Sequence, residues 1–541
     1  MPKLHLQRNY SVNQLNYQLS LPLNIEQRIP DNDPVRLLSL YVENMDLEAL
    51  YQTYSRIRKN QASPRQMLKI LIYAYMNRLY TSREIETACR RDINFMYLLE
   101  GAPAPDHTTI ARFRALHLSQ CSKQIMTQNT LLLRDLGEIS GESVFIDGTK
   151  IEAAANKYTF VWKKATGRNL QKRLHKVGDL LSFCMENYGI NAAPDGKVSL
   201  HRLKKLRKKL YRIKEEEDIC FVHGIGKRKT ELQRIIEELD TTIDKLKEYY
   251  HKIYLCRDRN SYSKTDHDAT FMRMKEDAMR NGQLKPAYNL QHAVDSDYIV
   301  WAAISPRPTD TRTLIPTLTD MQKNLGFKYE NIVADAGYES EENYLFLEKN
   351  GQRSFIKPNN YEISRTRKFK TDISRRENMT YDADHDMYIC FNHRRLVKTG
   401  ERHVKHQSGY VSTTTIYTCE GCDGCPFKTK CIHGNNCTVP MEKRNKTLHV
   451  SKVLEEKRKE DLERILSQEG CELRLNRTIQ AEGSFAVTKE DMHYRRYLCR
   501  GKSNVFTESI LVAIAYDINK LHQKIQSGRT GRHLHPLSGT A

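Results

Sequence analysis

The chain has 541 residues and carries 87 Lys and Arg against 66 Asp and Glu, a net charge of +21. That length exceeds what one compact core holds, so several structural units are expected. The basic excess, with a pI near 9.3, points to a polyanionic partner, nucleic acid before any other. A membrane partner is excluded as a span, because no run approaches the ~18 apolar residues that one requires. A secretion signal is also excluded: the start, MPKLHLQRNYSVNQ, lacks the charged-then-apolar pattern. Thirteen cysteines, scattered except for one cluster, favour a reducing cytoplasm over a disulfide framework.

Residues 1–30 are polar and mixed and read as an N-terminal arm. Residues 31–135 read as helical, with Leu37, Leu38, Val42, Met45, Leu47 and Leu50 at near-helical spacing. Ser63-Pro64 is an N-cap followed by Pro at the first helical position, before an apolar face from Met67 to Tyr75. Thr81-Ser82-Arg83-Glu84 fits a capping box. Asp106 caps HTTIARFRALH, which turns Ile110 and Phe113 inward and Arg112 and Arg114 elsewhere. Short helices with exposed arginines suit a DNA reader of the helix-turn-helix kind; a packing domain with no DNA role is the alternative.

A strand follows over 141–152, then a basic insertion over 160–260. In it Leu203, Leu206, Leu210 and Ile213 form one stripe among Lys204, Lys205, Arg207, Lys208 and Lys209. Leu232, Ile235, Ile236, Leu239, Ile243 and Leu246 form a second stripe after Gly224-Ile225-Gly226. The pair reads as an antiparallel helical hairpin, its basic face either tracking phosphates or simply solvated. YNLQHAV and YIVWAAI, separated by Asp295-Ser296-Asp297, read as a β-hairpin. A helix, TLIPTLTDMQKN, leads into a strand ending at Asp335. Residues 353–450 are polar and irregular, with short β-like runs and the cysteine cluster. A helical stripe resumes over 503–525, with Val505, Leu511, Ile514, Ile518, Leu521 and Ile525, and the tail 527–541 has turn formers without periodicity, which predicts disorder.

Three acids stand out. Asp147 ends Val144-Phe145-Ile146, Asp335 ends Ile332-Val333-Ala334, and Glu482 lies in the helix-like IQAEGSFAVTK. Two carboxylates at strand ends and a third on a helix can converge on one point, where they suit two hard divalent cations, Mg²⁺ or Mn²⁺. Two such ions clamp the attacking and leaving oxygens of a phosphoryl displacement. Taken alone, each acid is equally a turn or capping carboxylate. The cysteines Cys419, Cys422, Cys425 and Cys431 have metal-ligand spacing, with Cys390 a possible ligand from outside the cluster. The favoured structural Zn²⁺ set is Cys390, Cys422, Cys425 and Cys431; the alternative replaces Cys390 with Cys419, and free thiols remain the plain reading.

FIDGTKIEA, LKPAYNLQHAVD, VADAGYES and RTIQAEGSFAVTKEDMHYRRY stand in this order along the chain. With them, the chain resembles a DDE transposase of a bacterial insertion sequence over roughly residues 30–525. The resemblance implies an α/β fold: a ribonuclease H-like catalytic core built from 141–152, 286–350 and 472–525. It further implies an α-helical N-terminal DNA-binding domain (31–135) and two insertions (160–260 and 353–450). It implies that Asp147, Asp335 and Glu482 bind the metals and that Lys489, seven residues after the glutamate, contacts a transposon-end phosphate. Seven residues are close to two α-helical turns, so the two would share a face, with Arg496 extending it. The family pattern has an Arg four residues before the glutamate and a Tyr seven before. Here those positions are Thr478 and Leu475, with Arg477 five before. Double-stranded DNA, at transposon ends and target, is the implied partner, bound by a homodimer. A non-transposing nuclease and a catalytically dead DNA-binding regulator are the rival readings.

Overall fold

The computed structural model describes residues 25–56, 60–192, 198–224, 226–274, 282–434 and 439–536. Most of the expected arm, Cys437 and the last five residues of the tail lie outside them. The chain is a mixed α/β protein whose central sheet has six strands. Ser143–Glu152 lies near its middle, antiparallel to Leu284–Asp295 on one side and parallel to Asn331–Ala334 on the other. Arg353–Ile356 extends the sheet in parallel beyond Asn331–Ala334. Leu284–Asp295 also pairs with Thr270–Arg273 and Tyr298–Ser305. The unbroken apolar run Val144, Phe145 and Ile146, all fully buried, is that of a strand covered on both faces. The expected hairpin is present: Ser296 and Asp297 both take positive φ, 56° and 71°, the two-residue turn whose twist matches its strands.

The helical region 31–135 is present with its predicted caps. Ser63 and Thr81 each close a capping box, and Asp106 accepts from Thr109 N. It does not stand apart, however. One continuous apolar core runs from Ile29 through Ile139, the central sheet and the helix Lys502–Gln526. Asp517, fully buried in that helix, fastens the join: its carboxylate accepts from Asn129 Nδ2 at 2.8 Å and from Ile299 N at 2.7 Å. Burial pushes its pKa well above the usual carboxylate value. No helix among the described residues is long and apolar enough to cross a membrane.

The basic segment holds the two predicted helices, Leu200–Glu216 and Glu231–Cys256, and a third, Lys163–Tyr188, which the reading of its sequence missed. All three share one apolar core, to which the third gives Val177, Leu180 and Cys184. Residues 353–450, expected to be irregular, contain a five-stranded antiparallel sheet. The tail departs from expectation too: its described residues are tied to the core, Gly531 N to Glu138 Oε1 at 3.0 Å and His535 N to Asn476 Oδ1 at 2.8 Å.

Candidate active site

The parallel register sets Ile146 beside Ala334. Asp147 and Asp335 therefore follow as neighbours one residue past the last parallel pair, Asp335 just beyond the carboxyl end of its strand and Asp147 midway along Ser143–Glu152, which runs on against Leu284–Asp295. This is where a parallel sheet opens a crevice for ligands. Asp147 is nearly buried and accepts from Gly148 N at 2.8 Å. Asp335 caps the short turn Ala336–Tyr338 and accepts from Gly337 N at 2.8 Å.

A third carboxylate, Asp310, stands with them and was missed from sequence. It accepts from Asn289 Nδ2 at 2.6 Å and Gln291 Nε2 at 3.0 Å, two buried amides on the strand Leu284–Asp295. Gln291 Oε1 in turn accepts from Thr313 Oγ1 at 2.9 Å and from the Tyr338 hydroxyl. Tyr338 is fully buried; burial first, then the carboxylates of Asp310, Asp147 and Asp335, hold its hydroxyl firmly protonated. Gly148 makes this approach possible, since a Cβ there would lie 2.3 Å from Gln291 Nε2 and 2.8 Å from Asp310 Oδ1. The signal available in sequence was two amides, Asn289 and Gln291, at alternate positions of an otherwise apolar strand.

Glu482 ends a π-helical turn, Thr478–Glu482, within a helical run from Gln468 to Asp491. That run lies over the sheet. His292, the cross-strand partner of Asp147 and so on the same face, shares a hydrogen bond with Ser484 Oγ at 3.2 Å and stacks on Phe485 at 4.2 Å. Burial drives the His292 pKa down to about 3, so its ring is neutral at ordinary pH. The expected meeting of all three acids is not what the structure displays. The half-exposed Glu482 carboxylate pairs with Arg477 Nη2 at 2.6 Å. Among the described residues no three His, Cys, Asp or Glu side chains form a metal-binding group.

The expected basic stripe also differs. Lys489 is only 8% exposed and sits on a second π-helical turn, Val487–Asp491. These wider turns break the count of seven residues to two turns that put it on Glu482's face. Arg496 lies beyond the helix in an extended stretch bridged to Glu152, with which it pairs at 3.9 Å. Arg477 is taken up by Glu482. Arg112 is exposed as expected, but Arg114 is buried, its Nη1 donating to Tyr75 Oη at 3.1 Å and Tyr80 O at 3.3 Å. The π-helical turn Phe113–Leu118 rotates it inward.

Away from the acids, Cys390, Cys422 and Cys425 stand near Cys431, whose thiol is pushed up by burial and by these neighbours. Cys422 Sγ accepts from Lys446 N at 3.2 Å and Cys425 Sγ from Asn392 Nδ2 at 3.6 Å. Cys419 is buried beside Cys422 and Cys390, its pKa raised to about 11, chiefly by burial.

Two protein-family models match the chain. One, described as Transposase DDE domain, covers residues 389–522 and so includes Glu482 and the cysteines. The other, Transposase domain (DUF772), covers residues 23–116 of the helical region. No curated protein and no solved structure matches.

Proposed function

We propose that this chain, which two transposase family models match over residues 389–522 and 23–116, is a DDE transposase of an insertion sequence that binds the terminal inverted repeats of its element and catalyses metal-dependent DNA strand cleavage and strand transfer. The observation that carries this reading is the adjacency of Asp147 and Asp335 where the parallel pairing of their strands ends. A helical run bearing Glu482 lies over the same sheet. We read the mixed sheet as a ribonuclease H-like core interrupted by two insertions.

The donors are hard carboxylate oxygens, which fit Mg²⁺ or Mn²⁺. Asp147, Asp335 and Glu482 would hold the ions, whose chemistry when bound is to neutralise charge on the attacking and leaving oxygens of the phosphate. The protein's own share is positioning. The Asn289–Gln291 amides fix Asp310 beside Gly148, and Tyr338 stays protonated as a donor among three carboxylates. Arg112 and the exposed lysines of the first insertion supply charge for duplex phosphates, and a homodimer would hold two transposon ends. The fitting compartment is the bacterial cytoplasm. One structural Zn²⁺ at Cys390, Cys422, Cys425 and Cys431 belongs to the same proposal, on their spacing and on the N–H donors to two of the sulfurs, although among the described residues these thiols do not form a ready metal-binding group.

Asp147→Asn, Asp335→Asn and Glu482→Gln should each leave binding to end DNA intact in a gel-shift assay. Each should lower cleavage of labelled ends in Mg²⁺ by at least on the order of 10²–10³. Near-normal cleavage by any one of the three removes that residue from the site.

A further inference from the structure

The tail segment Gly531–His535 crosses the back of the Glu482 helix and joins it to the β-hairpin turn. Two fully buried amides on that helix, Asn476 and Gln480, depend on the segment's backbone. Asn476 accepts from His535 N at 2.8 Å and donates to His535 O at 3.0 Å. Gln480 donates to His533 O at 3.0 Å, and its Oε1 accepts from Asp297 N, in the hairpin turn, at 2.9 Å. His533 Nδ1 lies 2.9 Å from Ser296 Oγ and His535 Nε2 3.1 Å from Asp297 Oδ1, so the same segment grips the turn from its other side. Its entry is fixed as well: Lys524 Nζ donates to Arg532 O at 3.1 Å and Ser296 O at 2.8 Å, and Gly531 N donates to Glu138.

Gln480 belongs to the π-helical turn that ends at Glu482. Such turns are rare and occur mostly as single-turn bulges inside α-helices, frequently at functional sites. We propose that Gly531–His535 is a positioning strap, which holds the π-helical turn against the hairpin and thereby sets where the Glu482 carboxylate stands relative to Asp147 and Asp335. This rests on the reading of Glu482 as a metal-binding acid. The strap touches neither DNA nor metal in this account; it acts through Asn476 and Gln480.

The test compares the full chain with one ending at Gly528 and with the point variant Gly531→Pro. Gly531 has φ of 71°, which proline cannot adopt, and proline also removes the donor to Glu138. Both variants should bind end DNA as the full chain does. Hydrogen exchange over 476–484 should rise. Cleavage per bound complex should fall, by up to on the order of 10²-fold, as for a small misplacement of a reacting group. A synthetic peptide of residues 527–541 added to the shortened chain should restore both exchange protection and cleavage, which a general loss of folding would not permit. Unchanged exchange and cleavage in both variants, or failure of the peptide to restore either, overturns the proposal. Glu482→Gln in the intact chain separates the two ideas. If that variant cleaves normally, the reading of Glu482 has failed. If it is inactive while the strap variants cleave normally, only the strap has failed.

Discussion

Two glycines decide how closely backbone and side chains approach around the acids, and each can be tested by one methyl group. Gly148 lets the Gln291 amide and the Asp310 carboxylate close over the residue after Asp147. Gly470, near the start of the helix Gln468–Arg477, is tighter still: a Cβ there would sit 2.0 Å from the Arg464 carbonyl oxygen and 2.6 Å from the Ile465 Cα. Both obstacles are backbone, so no rotamer change relieves them. Gly470→Ala should therefore push this helix off the preceding one, Lys452–Leu466, at a cost of about 1–3 kcal/mol. Because the helix runs on into the Glu482 turn, cleavage should fall further than DNA binding. Chemical denaturation and a binding assay read the two effects; an unchanged unfolding midpoint would mean the helices can part freely. Arginine 112 and arginine 114 teach a related lesson. They are two positions apart on one predicted helix, yet Arg112 faces solvent while Arg114 ties Tyr75 to Tyr80.

At the scale of elements, those whose sequence pattern stands on local chemistry were legible. The N-cap at Ser63, the capping box at Thr81, the Asp cap at 106, the hairpin at 295–297, the strand that carries Asp147 and the one that Asp335 follows all lie where their residues put them. What was not legible depends on partners distant in sequence. The helix Lys163–Tyr188 contains Gly167 and Gly178, which mask the apolar spacing of Leu170, Leu174, Val177, Leu181 and Cys184, and it shares its core with two other helices. The π-helical turns at Thr478–Glu482 and Val487–Asp491 leave no periodic mark in the sequence. Asp310 lies in a loop and gains its setting only from a strand. The antiparallel sheet of 380–450 showed in sequence only as short β-like runs, because among the described residues its core has just eight buried side chains, Cys419 and Cys422 included. Cores so small ordinarily need a staple. One equivalent of zinc per chain is thus expected in protein purified without chelator. Replacing Cys422 and Cys425 by Ser should loosen 385–440 and lower stability without changing the Mg²⁺ dependence of residual cleavage. Zinc well below one equivalent, with the thiols freely alkylated, would mean that the sheet stands on its own packing.

Across the whole molecule, charge is the property that length and fold leave unexplained. A net +21 opposes compaction through self-repulsion, so its retention argues for a partner that neutralises it. Part of the excess is spread over one helix: Lys204, Lys205, Lys208 and Lys209 of Leu200–Glu216 are all exposed, while Arg207 beside them is engaged with Asp240 at 2.8 Å. A face of this kind can neutralise duplex phosphates without reading bases. Binding to end DNA should then weaken steeply as salt rises, each neutralised phosphate adding about 0.9 to the log–log slope. If the three-helix insertion tracks the backbone, changing all four lysines to Gln should reduce that slope by up to about 3.6, since four contacts are removed. The affinity lost should be the same for end DNA and for unrelated duplex, because phosphates carry no sequence. Cleavage measured per bound complex should stay as it is. A slope near zero in the unaltered chain would refute phosphate neutralisation as the main source of affinity. An unaltered slope in the quadruple variant would leave the insertion's basic face as solvated surface and move the DNA path elsewhere on the molecule.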